Sequence, residues 1–284
     1  MKNTGIQWAD DTVNPTSGCD GCELWIPGRG GPCYAGNLHE SRLAKTLPLL
    51  YDPVFTNVRT IPGRVAKILR CVDLTGKPRV DKPWLNGLRR KIFIGDLGDI
   101  FSDGIPFKYI KSEIFDNAIT KDGSRHDILL LTKQPKRAAK FSEWLYTTGM
   151  SWPTNIWIGT SITSRKSLTR IADLIEIRAS CKFLSLEPLV SDPELPLHLI
   201  DMVNWIIIGG ESDQNGHATR PFDLAWPRNV INTASGTDTA VFIKQMGSYP
   251  IENGERLVLS DNHGGDWDEW PVDLRVRNMP FSCG

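Results

Sequence analysis

The stretch Asn204-Trp205-Ile206-Ile207-Ile208-Gly209-Gly210-Glu211-Ser212 decides the fold. Four bulky apolar residues run together and give way to two glycines, a carboxylate and a hydroxyl. A strand with one solvated face alternates apolar and polar residues. A run without alternation suits a strand buried on both faces, as in a parallel sheet. The pattern recurs outward from this stretch, in residues 91–96, 127–133, 155–161, 182–188 and 240–245. Between most of these runs lie segments of helical spacing, at residues 109–120, 136–145, 164–176 and 222–234. Alternating strands and helices predict an α/β fold with parallel strands and right-handed crossovers. With a first strand expected near Ile6 to Trp8, about six to seven parallel strands predict a partial or complete (β/α) barrel. A doubly wound sheet is the competing arrangement.

In either architecture the site is built at the carboxyl ends of the strands. Polar residues collect there: Asp96 and Asp99, Thr132 and Lys133, Thr160 and Ser161, Glu187, Glu211 and Ser212, Lys244 and Gln245. One domain is expected over residues 1–284, with an irregular Pro- and Gly-rich insertion at about 42–88 and a C-terminal cap at about 247–284. The 33 basic residues equal the 33 acidic ones, which argues against a protein that coats nucleic acid by bulk charge. No stretch approaches the roughly 20 apolar residues of a membrane span, and the N-terminus lacks the apolar core of a signal peptide. A cytoplasmic protein with reduced thiols is therefore expected.

Three of the six cysteines, Cys19, Cys22 and Cys33, share one glycine-rich loop after the expected first strand. Three thiolates on one loop hold a metal or cluster and leave one coordination position open. The residues alone leave three readings: a [4Fe–4S] cluster with an open iron, a zinc site completed by a fourth ligand, with His39 nearest, or unligated thiols. Cys71 and Cys181 read as buried bystanders, and Cys283 as an exposed one. The remaining histidines show no ligand spacing.

Gly209 and Gly210 allow a close approach to the backbone, and Glu211 is suited to an ammonium or ribose hydroxyl; the competing reading is a tight turn capped by Ser212. Asp96, Asp99 and Asp103 suit ribose hydroxyls or proton transfer, or else helix capping and salt bridges. Lys133, Glu187 and Lys244 are candidate catalytic groups, against the alternative of ion pairs between strands. Arg64, Lys67 and Arg70, the run Arg89-Arg90-Lys91, and Lys133, Lys136, Arg137 and Lys140 form basic clusters. With ten tryptophans they suggest a surface for a single-stranded or flipped base, unless the rings are core and the charges solvated.

The chain resembles the phage Gp37/Gp68 family (DUF5131), also described as three-Cys-motif proteins. The resemblance rests on Asn14-Pro-Thr-Ser-Gly-Cys19, Cys33-Tyr34-Ala35, Ile94-Gly-Asp-Leu-Gly-Asp99, Leu130-Leu-Thr-Lys133, Gly159-Thr-Ser161, Ser185-Leu-Glu-Pro-Leu189, Ile208-Gly-Gly-Glu-Ser212, Arg220-Pro-Phe222 and Phe242-Ile-Lys-Gln245. It implies a βα barrel related to radical S-adenosylmethionine (SAM) enzymes, and a partner protein encoded nearby. The usual loop of those enzymes is C-x3-C-x2-C. Here the spacing is C-x2-C-x10-C, with a Gly/Pro-rich excursion before Cys33.

The expected function is that of a radical SAM enzyme. Cys19, Cys22 and Cys33 ligate the [4Fe–4S] cluster. Asp96, Asp99, Thr160, Ser161, Gly209, Gly210, Glu211 and Ser212 bind cofactor, and Lys133, Glu187 and Lys244 act on substrate. An electron donor is required, and a nucleic-acid base is the favoured substrate. The alternatives are a non-catalytic, zinc-stapled barrel that binds nucleic acid or a protein partner, and a hydrolase or transferase built on the carboxylates.

Overall fold

The computed structural model describes residues 4–213 and 217–280; Cys283 lies outside them. Seven strands follow one another across a single sheet in chain order. They are β1 (Asp11–Val13), β2 (Arg90–Ile94), β3 (His126–Thr132), β4 (Ile156–Ser161), β5 (Lys182–Leu186), β6 (Trp205–Gly209) and β7 (Ala240–Gln245). The sheet is all-parallel and curls into a half-barrel, with β1 and β7 as its edges. Residues of β2, β3, β5 and β6 that face the two layers are almost completely buried, which is why their sequences do not alternate.

The first strand starts at Asp11, not near Ile6. The carbonyls of Thr4, Ile6 and Ala9 are taken by the buried Lys82 ammonium, at 2.9, 2.7 and 2.6 Å. Oxygens spent on a side chain are withdrawn from a sheet ladder. The ladder begins where Asp11 comes opposite Ile92.

The longer helices are α1 (Pro135–Thr147), α2 (Thr169–Ile175) and α3 (Ala225–Ala234). The β2–β3 crossover is less regular: Phe107–Ile110 passes through a π turn at Lys111–Phe115 into Asp116–Ala118. At that turn the buried Glu113 accepts from the Gly63 and Val65 amides, at 2.8 and 2.9 Å. The carboxylate thereby satisfies donors at the start of the short helix Arg64–Ile68.

The chain forms two compact units. The first comprises the residues through Ile158 together with Glu176–Ser180; the second comprises Gly159–Ile175 and the residues from Cys181 onward. In the first unit Phe115, Phe141 and Trp152 pack ring against ring beneath α1, with centroids 4.8–6.2 Å apart. In the second unit Trp205 packs against Phe183 and Phe242. There the outer side of β7 is covered by the chain's own tail. Ile243 N donates to Val276 O at 2.7 Å, and Asn278 N to Val241 O at 2.9 Å. The Arg277 guanidinium between them lies 5.0 Å from the Trp267 and Trp270 rings.

Charge is buried near the amino ends of β2 and β3. Lys91 pairs with Asp127 at 2.5 Å and lies over the Trp157 ring, and both charged side chains are under one-tenth exposed. Removing one partner of such a pair leaves an uncompensated buried charge. Asp127→Ala is expected to cost about 3–5 kcal/mol, whereas Lys91→Met with Asp127→Leu recovers most of that loss; urea unfolding of the two variants checks both. Burial holds the neighbouring His126 imidazole below its ordinary range, against a hydrogen bond to Leu69 O. The folded state keeps this ring neutral while the unfolded chain takes up a proton below about pH 6.5. Stability is therefore expected to fall as pH drops through that range, with a shallower slope in His126→Gln, read from urea midpoints between pH 7.5 and 5.

Candidate functional site

Short turns around glycines build the cysteine loop. Gly18 follows the ribbon strand Thr16–Ser17 with φ +84°, and a side chain there would lie 2.7 Å from Phe55 O. Its backbone runs parallel to that of Gly98, in the loop after β2, in a single bridge so close that a Cβ on Gly98 would lie 2.5 Å from Gly18 O. The bridge brings the loops after β1 and β2 together. Cys19 N then donates to Phe55 O at 3.0 Å, and Cys22 exchanges two main-chain hydrogen bonds with Trp25.

The loop has its own small core. Leu24 and Trp25 are buried, and Trp25 lies against Gly36 so closely that any side chain at Gly36 would overlap the indole. That contact seats the helix Tyr34–Leu38, which follows Cys33. Phe55 stacks edge-on against Trp25 and His39, and His39 against Tyr51. The first part of the irregular insertion thus supplies hydrophobic support for the thiol loop. His39, the nearest candidate for a fourth zinc ligand, is buried in this core, and its Nε2 donates to Asp52 O at 2.6 Å.

All three loop thiols are free and half-buried. Leu24 N donates to Cys22 Sγ at 3.4 Å, the Gly21 amide favours the Cys19 thiolate, and the amides of Gly36 and Ala35 favour that of Cys33. At Cys19 and Cys33 burial works against ionisation and dominates. It pushes Cys19 up to about 12, helped by Asp99 and by the other two thiols, and it raises Cys33 as well. Lys133 pulls Cys33 the other way. Among the described residues, no three His, Cys, Asp or Glu side chains form a group spaced for a single metal ion.

Asp99 ties the loop after β2 to the end of β3. Its carboxylate accepts from Thr132 Oγ1 at 2.8 Å, Lys133 N at 2.8 Å and Phe101 N at 2.9 Å, and burial pushes its carboxyl up. Asp96 is also raised by burial, against a 2.6 Å hydrogen bond from Asn14 Nδ2. Its charge in turn helps burial to raise the Tyr34 phenol. Asp103 is largely exposed and pairs with Arg137. Asn14 and Asp20 carry structural weight that their isolated sequence positions do not signal. Asn14 Oδ1 accepts from Leu97 N, and Asp20 Oδ2 accepts from Gln134 Nε2 and Asp103 N.

In the second unit the polar residues at strand ends are largely engaged with one another. Glu187, after β5, pairs with Lys244 of β7 at 2.9 Å. The pair passes over β6 at Gly209, where a Cβ would lie 2.9 Å from Glu187 Oε1. The close approach permitted by Gly210 is taken by the chain itself, since a Cβ there would lie 2.3 Å from Met246 O. Glu211 is buried and holds Arg220 through both carboxylate oxygens, at 2.9 and 2.5 Å. Ser212 Oγ accepts from Gln245 Nε2 at 2.6 Å. Thr160 and Ser161 are buried at the end of β4, and Arg170 donates to Ser161 O. The Arg220 partnership spans nine residues of loop and has no periodic signal in the sequence.

The basic clusters separate on inspection. Arg90 is paired with Asp11, and Arg89 and Lys91 share Asp127, so every cation of that run is engaged with a carboxylate. Lys67, Arg70, Lys136 and Lys140 are exposed. None of the ten tryptophans is fully exposed; Trp8, Trp25, Trp152, Trp157, Trp205 and Trp270 are buried core.

Fold and site together define a class: a parallel α/β half-barrel with a three-thiol loop following its first strand. The chain belongs to the family described as protein of unknown function (DUF5131), whose model matches residues 3–271. No curated protein and no solved structure matches it. No helix among the described residues is long and apolar enough to cross a membrane.

The Gly18–Gly98 bridge yields a direct expectation. Gly98→Ala forces the two backbones apart, at a cost of roughly 1–3 kcal/mol for overpacking. It is also expected to speed alkylation of Cys19 by iodoacetamide, measured by peptide mass spectrometry alongside the urea midpoint.

Proposed function

We propose that the protein is a radical SAM-type iron–sulfur enzyme whose [4Fe–4S] cluster is held by Cys19, Cys22 and Cys33. One observation carries the reading: three free thiols share one loop, and main-chain amides two or three residues on favour their charge, most directly Leu24 N at Cys22 Sγ. Amides aimed at sulfur are of little use to a buried, protonated thiol. They are useful to thiolates, whose charge they share. Three thiols on one loop match in number and type the sulfurs that such a cluster takes from a protein. His39, the nearest further ligand in sequence, already gives its Nε2 to Asp52 O.

When bound, such a cluster supplies an electron that cleaves the sulfonium of SAM and starts hydrogen abstraction from a substrate. The chain's own residues have separate tasks. The buried loop core of Trp25, Phe55 and His39 supports the loop that carries the half-buried thiols. Asp96, beside Tyr34, offers a carboxylate to an ammonium or a ribose hydroxyl of SAM. Asp99 fixes the Lys133 backbone. Glu187, Lys244 and Glu211 begin as members of closed ion pairs, so any direct role for them in binding or catalysis requires those pairs to open. Lys136 and Lys140, exposed and one turn apart on α1, favour a polyanionic substrate, and a nucleic-acid base is the class we propose.

The test is anaerobic purification with iron and sulfide analysis, then an electron paramagnetic resonance spectrum of the dithionite-reduced protein with and without SAM. The expected result is about four irons per chain, a spectrum altered by SAM, and loss of most iron in Cys19→Ser, Cys22→Ser or Cys33→Ser. One zinc and no iron after attempted reconstitution sinks the radical reading and leaves the zinc-stapled binding barrel.

A further inference from the structure

We infer that the open cavity between residues 58–60 and 104–109 seats a phosphate of the nucleic-acid substrate. The inference rests on the nucleic-acid part of the reading above and not on the cluster. The cavity has a volume of about 540 Å³ and is lined by Val58, Arg59, Thr60, Gly104, Pro106 and Tyr109. Small-ligand sites span about 300–1,000 Å³.

Backbone contacts fix its place in the first unit. One wall is the ribbon strand Arg59–Thr60, which pairs antiparallel with Thr16–Ser17 just ahead of the cysteine loop. Val58 abuts that loop, since a Cβ on Gly18 would lie 3.1 Å from Val58 Cα. The other wall is tied to α1. Arg137 of that helix donates to Asp103 O at 3.3 Å and to Ile105 O at 2.7 Å, the carbonyls on either side of Gly104. The exposed Lys136 and Lys140 belong to the same helix. The cavity therefore connects the thiol loop with the basic helix.

Its lining carries one cation and no carboxylate. Arg59 Nη2 donates to Asp52 at 2.6 Å and Nη1 to Pro48 O at 3.1 Å. These bonds order the guanidinium, and Nε keeps no partner among the described residues. The Thr60 hydroxyl and Gly104 N are likewise uncommitted among the described residues. The carboxylates nearby are spent elsewhere: Asp103 on Arg137, and Glu113 on the amides of Gly63 and Val65. A guanidinium, a hydroxyl and a main-chain amide are the groups with which proteins hold phosphate oxygens. Val58, Pro106 and Tyr109 add an apolar side on which a sugar or base rests. Tyr109 is fixed there by its hydroxyl, which donates to Pro15 O at 2.6 Å.

The experiment is fluorescence anisotropy of short fluorescein-labelled single strands, one RNA and one DNA, with wild type, Arg59→Gln, Thr60→Val and Gly104→Leu at several salt concentrations. A Cβ on Gly104 would already lie 3.6 Å from Val58 Cβ, so leucine there fills the cavity. All three variants are expected to bind more weakly with urea midpoints near wild type. Arg59→Gln is expected to lose about tenfold in affinity and to flatten the slope of log K against log salt by about 0.7. Adenosine monophosphate is the competitor. Competition that depends on Arg59 assigns the seat to a free nucleotide; strand binding without competition assigns it to the strand. Either supports the phosphate seat. Wild-type affinity in all three variants, with loss in the double variant Lys136→Gln, Lys140→Gln, overturns the inference and leaves the nucleic-acid reading standing. No binding of either strand or of adenosine monophosphate by wild type overturns both.

Discussion

The parallel backbone bridge between Gly18 and Gly98 is the contact on which the rest of the candidate centre depends. A parallel sheet orders its strands but leaves the loops at their carboxyl ends to find their own supports. Here the loops after β1 and β2 meet with no side chain between them. Once they meet, Asp99 reaches Thr132 and Lys133, Asp20 reaches Gln134, and three separate strand ends become one braced surface. The hydrogen bonds are short-range and specific, but they require a prior approach that only two glycines permit.

The strand pattern was legible because burial on both faces removes ambiguity. Residues 240–245 were read as a strand and form β7, and the other runs are displaced by only one to three residues at their ends. The first strand was not legible at its true position. Ile6 and Trp8 are as apolar as a strand residue, and nothing local announces that Lys82, more than seventy positions on, takes the carbonyls of Thr4, Ile6 and Ala9. The boundary is set by a distant cation and not by propensity.

The candidate site was legible in part, for a similar reason. The thiols and their glycines lie close in sequence, so their grouping is visible before folding. Ion pairs are invisible at that level. Glu187 and Lys244 read equally well as reagents or as partners until the geometry puts one over Gly209 and against the other. Glu211 is likewise held by Arg220. Charged residues at strand ends therefore divide by what surrounds them, and their chemical type alone does not make the division.

The tail that lies along β7 has a practical meaning. The family match ends at residue 271, yet Val276 and Asn278 supply the hydrogen bonds that close the outer ladder of the last strand. A chain trimmed to the matched segment would present Val241 and Ile243 with bare amide and carbonyl groups on an apolar strand, a template for self-association. The family match thus ends short of the residues that close the edge of the last strand.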